Sequence, residues 1–231
     1  MIEPRTWVTE ALAGLKAEFG SRLLYLGLQG SYRRGEATES SDIDLVTLLD
    51  YVSLNDLDAY RKIVRSLPEG DKACGFICGA REFIHWPRHE LFPFKMDTAD
   101  YCGRLEDYLP PIARDDIAAG ARIGASTLIH LLTHSYLYAA LEDRPGILKE
   151  AYKSAFFVMQ AVTYLKTGTY CTTKKQLLEN LEGQEKSLIA AGLDFPAWLA
   201  QHSEKQGFEM LLDWARETMT GSLAGGKIQE C

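Results

Sequence analysis

The chain has 231 residues, a formal net charge of −7 and 46% hydrophobic residues, enough for one large domain or two modest ones with a sizeable core. An acidic balance of this kind argues against a nonspecific grip on duplex nucleic acid, which needs clustered Lys and Arg to displace counterions. No apolar run approaches the roughly 20 residues that span a bilayer, and "MIEPRTWVTE" lacks the basic-then-apolar order of a signal peptide, so no membrane partner and a cytoplasmic location are expected.

Trp7, Ala11, Leu12, Leu15 and Phe19 recur at helical spacing, and Gly20 ends the helix they predict. "RLLYLGL" then predicts a buried strand, "GSYRRGEA" a turn into a short helix, and "DIDLVTLL" a second buried strand. Leu57, Tyr60, Ile63, Val64 and Leu67 mark another helix closed by Pro68. "KACGFICGA" and "LFPFKMDTA" predict two further strands, the second demoted to an edge or a bulge by Pro93. The expected order is α-β-α-β-α-β-β. The prolines Pro110 and Pro111 then mark a boundary, giving domains over 1–110 and 111–231.

Beyond the boundary the pattern is helical: about 115–142, about 147–167, a Thr-capped helix after "TGTYCTT" and a last helix around "FEMLLDWARETM". The stretch "AFFVMQAVTYL" is apolar almost all round, as the central helix of a bundle is. "GSLAGGKIQEC" is expected to be a loose tail. The five cysteines, Cys74, Cys78, Cys102, Cys171 and Cys231, are odd in number and scattered, which suits reduced thiols better than a disulfide framework, and with no second Cys/His pair at finger spacing Cys74 and Cys78 are expected to be buried thiols rather than a metal clip.

The chemistry concentrates between Leu26 and Asp50. A strand that ends in Gly30-Ser31 and turns into a helix aims backbone N–H groups and a hydroxyl at one point, an arrangement that holds phosphate. Ten residues later Asp42 and Asp44 flank Ile43, and period-two geometry sends both carboxylates to one face while Ile43 enters the core. Two like charges so close repel unless a cation sits with them. Co-directed carboxylates beside a phosphate cradle suit Mg²⁺, with two ions expected, and the chemistry of phosphoryl or nucleotidyl transfer.

In "GSYRRGEATESSDIDL" the sequence resembles the DNA polymerase β-like nucleotidyltransferase superfamily, small bacterial members in particular, whose signature is G-S, roughly ten residues, then D-x-D. The resemblance implies an α/β (α+β) catalytic domain with a mixed sheet, ATP or another nucleoside triphosphate as co-substrate, Gly30 and Ser31 on the phosphates, and Asp42 and Asp44 on the metal. Arg34, Gly35 and Ser41 fall on recurrent positions of the pattern, Arg34 and Ser41 as nucleotide-binding candidates, although an exposed helical arginine is an equally fair reading of Arg34. The family's third carboxylate, metal ligand or base, is assigned to Asp97 at the end of the "LFPFKMD" strand, with Glu82, Glu90 and Asp100 as rivals.

In "TYLKTGTYCTTKKQLL" and the helices before it the sequence resembles the C-terminal helical domain of kanamycin nucleotidyltransferase and related substrate-binding helical modules. His130, His134 and Tyr138 share one helical face there and are candidate acceptor-binding residues, with packing inside the bundle expected for at least one histidine. Lys153 is a further substrate-binding candidate. The resemblance implies transfer of AMP to a hydroxyl of a small molecule such as an aminoglycoside-like antibiotic. A protein acceptor, as in AMP-transferring antitoxins, and a noncatalytic nucleotide-binding interaction protein are the alternatives. Oligomeric state is left open, a dimer included.

Overall fold

Trp7, Val8, Ala11, Leu15 and Phe19 form one buried stripe on the opening helix α1 (Pro4–Phe19), as 3.6-residue periodicity requires. The Glu3 side chain caps its start by accepting from the Arg5 and Thr6 N–H groups, and Gly20, at φ 55°, ends it. This computed structural model describes residues 2–221 and 223, in two compact units that divide between Ile112 and Ala113. The tail expected over 221–231 lies, apart from Gly221 and Leu223, outside the described residues.

The N-terminal unit is built on a mixed four-stranded sheet of β1 (Leu23–Gln29), β2 (Ile43–Leu49), β3 (Ala73–Gly79) and β4 (Ala99–Cys102). Their spatial order is β3-β2-β1-β4; β1 runs antiparallel to β2 and β4, and β2 parallel to β3. Every residue of β2 is buried except Asp44, the pattern of a strand covered on both faces. Ile43, Leu45 and Leu49 pack into one core with Leu15 and Val64, from α1 and α3 (Leu54–Arg65). Val46 and Leu48 enter another with Phe83 and Leu91, from α4 (Ala80–Ile84) and α5 (Arg88–Asp97). Between β1 and β2 lies the short helix α2 (Gly30–Arg34).

One expected strand is a helix. "LFPFKMD" forms most of α5, and the true strand β4 begins only at Ala99. Apolar residues at 91, 92 and 94 fit a strand's face nearly as well as a helix's, and Pro93 argued against a regular strand as much as against a helix. Burial decides between them: Leu91, with Phe94 three residues on, packs against Phe83 in a cluster where the Phe83 and Phe94 rings meet edge to face at 5.8 Å. That contact offsets the backbone bond Pro93 forgoes.

Among the described residues the elements of the second unit are all helices: α6 (Arg114–Tyr138), α7 (Arg144–Thr167), α8 (Lys174–Asn180), α9 (Gly183–Leu193), α10 (Phe195–Leu199) and α11 (Glu204–Thr220). The Thr173 hydroxyl accepts from the Gln176 N–H and caps α8, as its sequence foretells. Helix α7 packs against α6, α8, α9 and α11, which accounts for its nearly all-round apolar middle. Helices α9 and α10 went unforeseen, because short Ala- and Gly-containing segments carry little periodic signal. No helix among the described residues is long and apolar enough to cross a membrane.

Candidate active site

The spacing between Gly-Ser and D-x-D is explained by strand register. Gln29, the last residue of β1, is the antiparallel partner of Asp44 in β2, so the chain leaves one strand and rejoins its neighbour at the same level. Gly30 follows at φ 76°, and a Cβ placed there would lie 2.0 Å from Asp44 Oδ2. The Asp44 carboxylate therefore rests against bare backbone that only glycine provides, in both conformation and space. Ile43 is fully buried, Asp44 half-buried and Asp42 exposed at the start of the strand.

The connecting segment is fastened from within. Gly35, at φ 72°, caps α2 with its N–H directed to Ser31 and Tyr32 carbonyls, and the Glu36 N–H donates to the Ser31 carbonyl at 2.9 Å. Ser41 accepts from the Thr38 N–H at 2.9 Å and returns a backbone bond to the Thr38 carbonyl at 3.1 Å, so its side chain shapes the loop in this state. Lys72 Nζ donates to the Glu39 carbonyl at 2.8 Å and pairs with Glu69. These ties hold Asp42 at the open end of the loop.

Arg34 is not the exposed helical arginine of the alternative reading. Its side chain is only 9% exposed, pairs with Asp97 and lies 3.3 Å from Glu36. Arg33, which the sequence did not single out, reaches Asp97 Oδ1 at 3.7 Å. Asp97 itself ends helix α5 rather than a strand and is 4% exposed. Burial pushes its carboxyl above the usual carboxylate value, against the downward pull of Arg34 and Arg33. Among the described residues no group of three or more His, Cys, Asp or Glu side chains is gathered to hold a metal ion.

The rival acids have other engagements. Asp100 accepts the Tyr25 hydroxyl at 2.7 Å, and Glu90 accepts the Trp86 indole N–H at 2.7 Å. Glu82 lies against Gly79, whose register partner on β2 is Leu49. Five residues separate that level from Asp44, about 16 Å along a strand. The β3 residue level with Asp44 is Cys74, which is exposed; Cys78 and Cys102 are intermediate, and only Cys171 is buried among the described cysteines. The expectation that Cys74 and Cys78 are buried thiols is thus corrected. Parallel strands reached through a helix leave no local sequence mark of such a neighbour.

In the helical unit His130, His134 and Tyr138 do share a face of α6, with ring centroids 5.9 and 5.0 Å apart in sequence order. All three are exposed, so neither histidine is packed inside the bundle as expected. Helix α6 instead turns Leu128, Leu132 and Ser135 inward. Lys153 is exposed on α7, 3.7 Å from Glu150.

Residues 10–73 match the family model described as nucleotidyltransferase domain. No curated protein matches the chain by sequence. Among solved structures the chain is similar to spectinomycin adenyltransferase AAD(9) from Enterococcus faecialis, crystallised with ATP and spectinomycin: 13% identity, TM-score 0.60, with 94% of this chain and 99% of that one covered. At that identity the likeness concerns the fold, a mixed-sheet unit followed by a helical one.

Proposed function

We propose that the chain, whose residues 10–73 match a nucleotidyltransferase domain, is a transferase of the DNA polymerase β-like kind that moves a nucleoside monophosphate, AMP from ATP, onto a hydroxyl of a small molecule of the aminoglycoside type. The observation that carries this reading is the Asp44 carboxylate lying on the bare Gly30 backbone, which joins an acidic pair to a turn able to approach phosphate closely. The structural neighbour's ATP and spectinomycin favour a nucleotide and a small acceptor over a protein.

Asp42 and Asp44 offer hard oxygen donors with solvent access, and two carboxylates are enough for Mg²⁺, which keeps waters and takes phosphate oxygens as its other ligands. When bound there, Mg²⁺ would neutralise phosphate charge and stabilise the attacking and leaving oxygens of an in-line displacement. Gly30 admits the triphosphate close to the backbone, and the Ser31 hydroxyl and N–H orient it; α2, at five residues, contributes little dipole of its own. The acceptor hydroxyl oxygen attacks the α-phosphorus, the bond from the α-phosphorus to the pyrophosphate oxygen breaks, pyrophosphate leaves with the electron pair, and the hydroxyl proton passes to water at this solvent-accessible site. Catalysis is chiefly positioning and charge stabilisation. His130, His134 and Tyr138 form a ring-lined face suited to a polyhydroxylated amine.

Calorimetry with ATP and a nonhydrolysable analogue, with and without Mg²⁺, tests the nucleotide half. Binding that needs Mg²⁺ and is lost in Asp42→Asn/Asp44→Asn is expected; binding that ignores both metal and substitution would point to a noncatalytic interaction protein. Transfer of labelled AMP to aminoglycosides, and to no protein of a lysate, is the expected acceptor result.

A further inference from the structure

We propose that Asp97 is a positioning residue that fixes the Gly30-Ser31 turn through Arg34 and Arg33, and is neither a metal ligand nor the base toward the acceptor; this rests on the nucleotide site proposed above. Helix α2 has five residues, well below the length at which a helix holds itself together in water. It is bracketed by two residues of positive φ, Gly30 and Gly35, both permissive pivots. Something outside the helix must set its orientation.

Tyr32, buried below it, supplies one anchor. The consecutive arginines supply the other, since both reach across to a single carboxylate on α5, the helix packed beside α2. Arg34 donates to Asp97 Oδ2, while Oδ1 faces the Arg33 guanidinium at 3.7 Å and accepts no hydrogen bond among the described residues. Glu36 closes the group from the far side of Arg34.

This geometry does not suit the role the family resemblance implies for a third acid. A metal ligand or base needs lone pairs presented to the reacting groups, whereas the Asp97 side chain is 6% exposed with a guanidinium group toward each oxygen. A buried ion pair costs desolvation and is poor evidence of stability, but it specifies geometry when both partners are held. Here the geometry it specifies is that of the turn four residues before Arg34, where Gly30 meets Asp44. Outer groups that orient a site are typically felt as a roughly 10–100-fold loss of function when removed.

The test uses Asp97→Asn and Arg34→Gln singly and together, with Arg34→Lys as a milder variant should either fail to fold. Affinity for ATP with Mg²⁺ is expected to fall about tenfold in Asp97→Asn, by no more than that in Arg34→Gln, which keeps the Arg33 contact, and no further in the double than in Asp97→Asn alone, because the Arg34 linkage is already gone there. Mn²⁺ binding without nucleotide, followed by electron paramagnetic resonance, is expected to persist in Asp97→Asn and vanish in Asp42→Asn/Asp44→Asn. Loss of Mn²⁺ from Asp97→Asn to the same degree would make it a ligand and overturn the proposal, as would additive losses in the double. Amide hydrogen exchange over residues 30–36 in the ligand-free protein is expected to quicken in Asp97→Asn, and unchanged exchange overturns the proposal. If the parent bound no nucleotide, the proposed function would fall while this exchange readout still decided whether Asp97 holds the turn.

Discussion

In the N-terminal unit charge goes inside: Asp97 is buried and the Arg34 side chain nearly so, paired with each other, and Asp56 lies covered beneath the partly exposed Arg22, while in the helical unit the buried polar side chains among the described residues are Ser135, Gln160, Thr163 and Thr218, all neutral. The costs differ accordingly. A buried ion pair forgoes several kcal/mol of hydration per charge and tolerates little displacement, whereas a neutral group needs one or two hydrogen bonds. The first unit thus invests in fixed geometry around a turn, and the second in joining helices. Substitutions in the two should separate function from stability.

The largest effect is expected at Gly30. Alanine there would meet Asp44 Oδ2 at 2.0 Å and adopt a φ of 76° that L-residues disfavour by roughly 1–2 kcal/mol, so the carboxylate and the turn must part. The rate of AMP transfer should fall by about 100-fold or more, because a displacement near 1 Å at a reacting centre costs that much, and affinity for ATP with Mg²⁺ should fall with it. Thermal unfolding should shift by only a few degrees. Unchanged affinity would dissolve the contrast between the units.

Gln160 is the counterpart in the helical unit. Its side-chain amide donates to the Cys171 and Thr172 carbonyls at 2.7 and 3.1 Å, tying α7 to the segment that leads into α8. Gln160→Ala leaves those acceptors bare and should cost about 1–3 kcal/mol in urea unfolding, with nucleotide affinity unaltered. A fall in affinity equal to that of Gly30→Ala would show that the bundle shares the fixing of the site.

What the sequence disclosed follows the same division. The placement of Gly30 and Ser31 at a strand-to-helix turn beside Asp44 was legible because an antiparallel pair brings residues a short loop apart to one level, and glycine with alternating acids leaves a visible imprint. The Arg34–Asp97 linkage was not legible: its partners stand 63 residues apart, and one sat on a helix whose apolar residues imitated a strand. Cys74 was hidden for a related reason, since parallel register depends on how a whole crossover helix packs. On α6 the spacing placed His130, His134 and Tyr138 on one face, but periodicity alone could not say which face turns outward.

A pH experiment sharpens the point about buried charge. Arg22 grips Asp56 at 2.8 Å, and Ser53 adds backbone and hydroxyl bonds, so the Asp56 carboxyl is held well below its ordinary value, chiefly by Arg22. A depressed folded-state value means that the stabilisation is complete above the unfolded value of about 3.9 and is lost as pH falls below it. Asp56→Asn should therefore be less stable than the parent at pH 7, and the gap in urea midpoint should narrow below about pH 4. A gap that widened on acidification would contradict the assignment of the charged form to the native state.

The smallest effect on stability is expected at His134. Its ring is exposed between His130 and Tyr138 at 5.9 and 5.0 Å, and the inward face of α6 is carried by Leu128, Leu132 and Ser135 instead. His134→Ala should leave stability within about 0.5 kcal/mol and ATP affinity unchanged, because nothing in the core or the Gly30 turn depends on it. Steady-state transfer to an aminoglycoside should instead show a several-fold rise in acceptor KM with little change in kcat, the mark of lost uniform binding. A fall in kcat at constant KM would give this residue work in the transition state, and then the helical unit too would hold geometry for chemistry, by an exposed face rather than by buried charge.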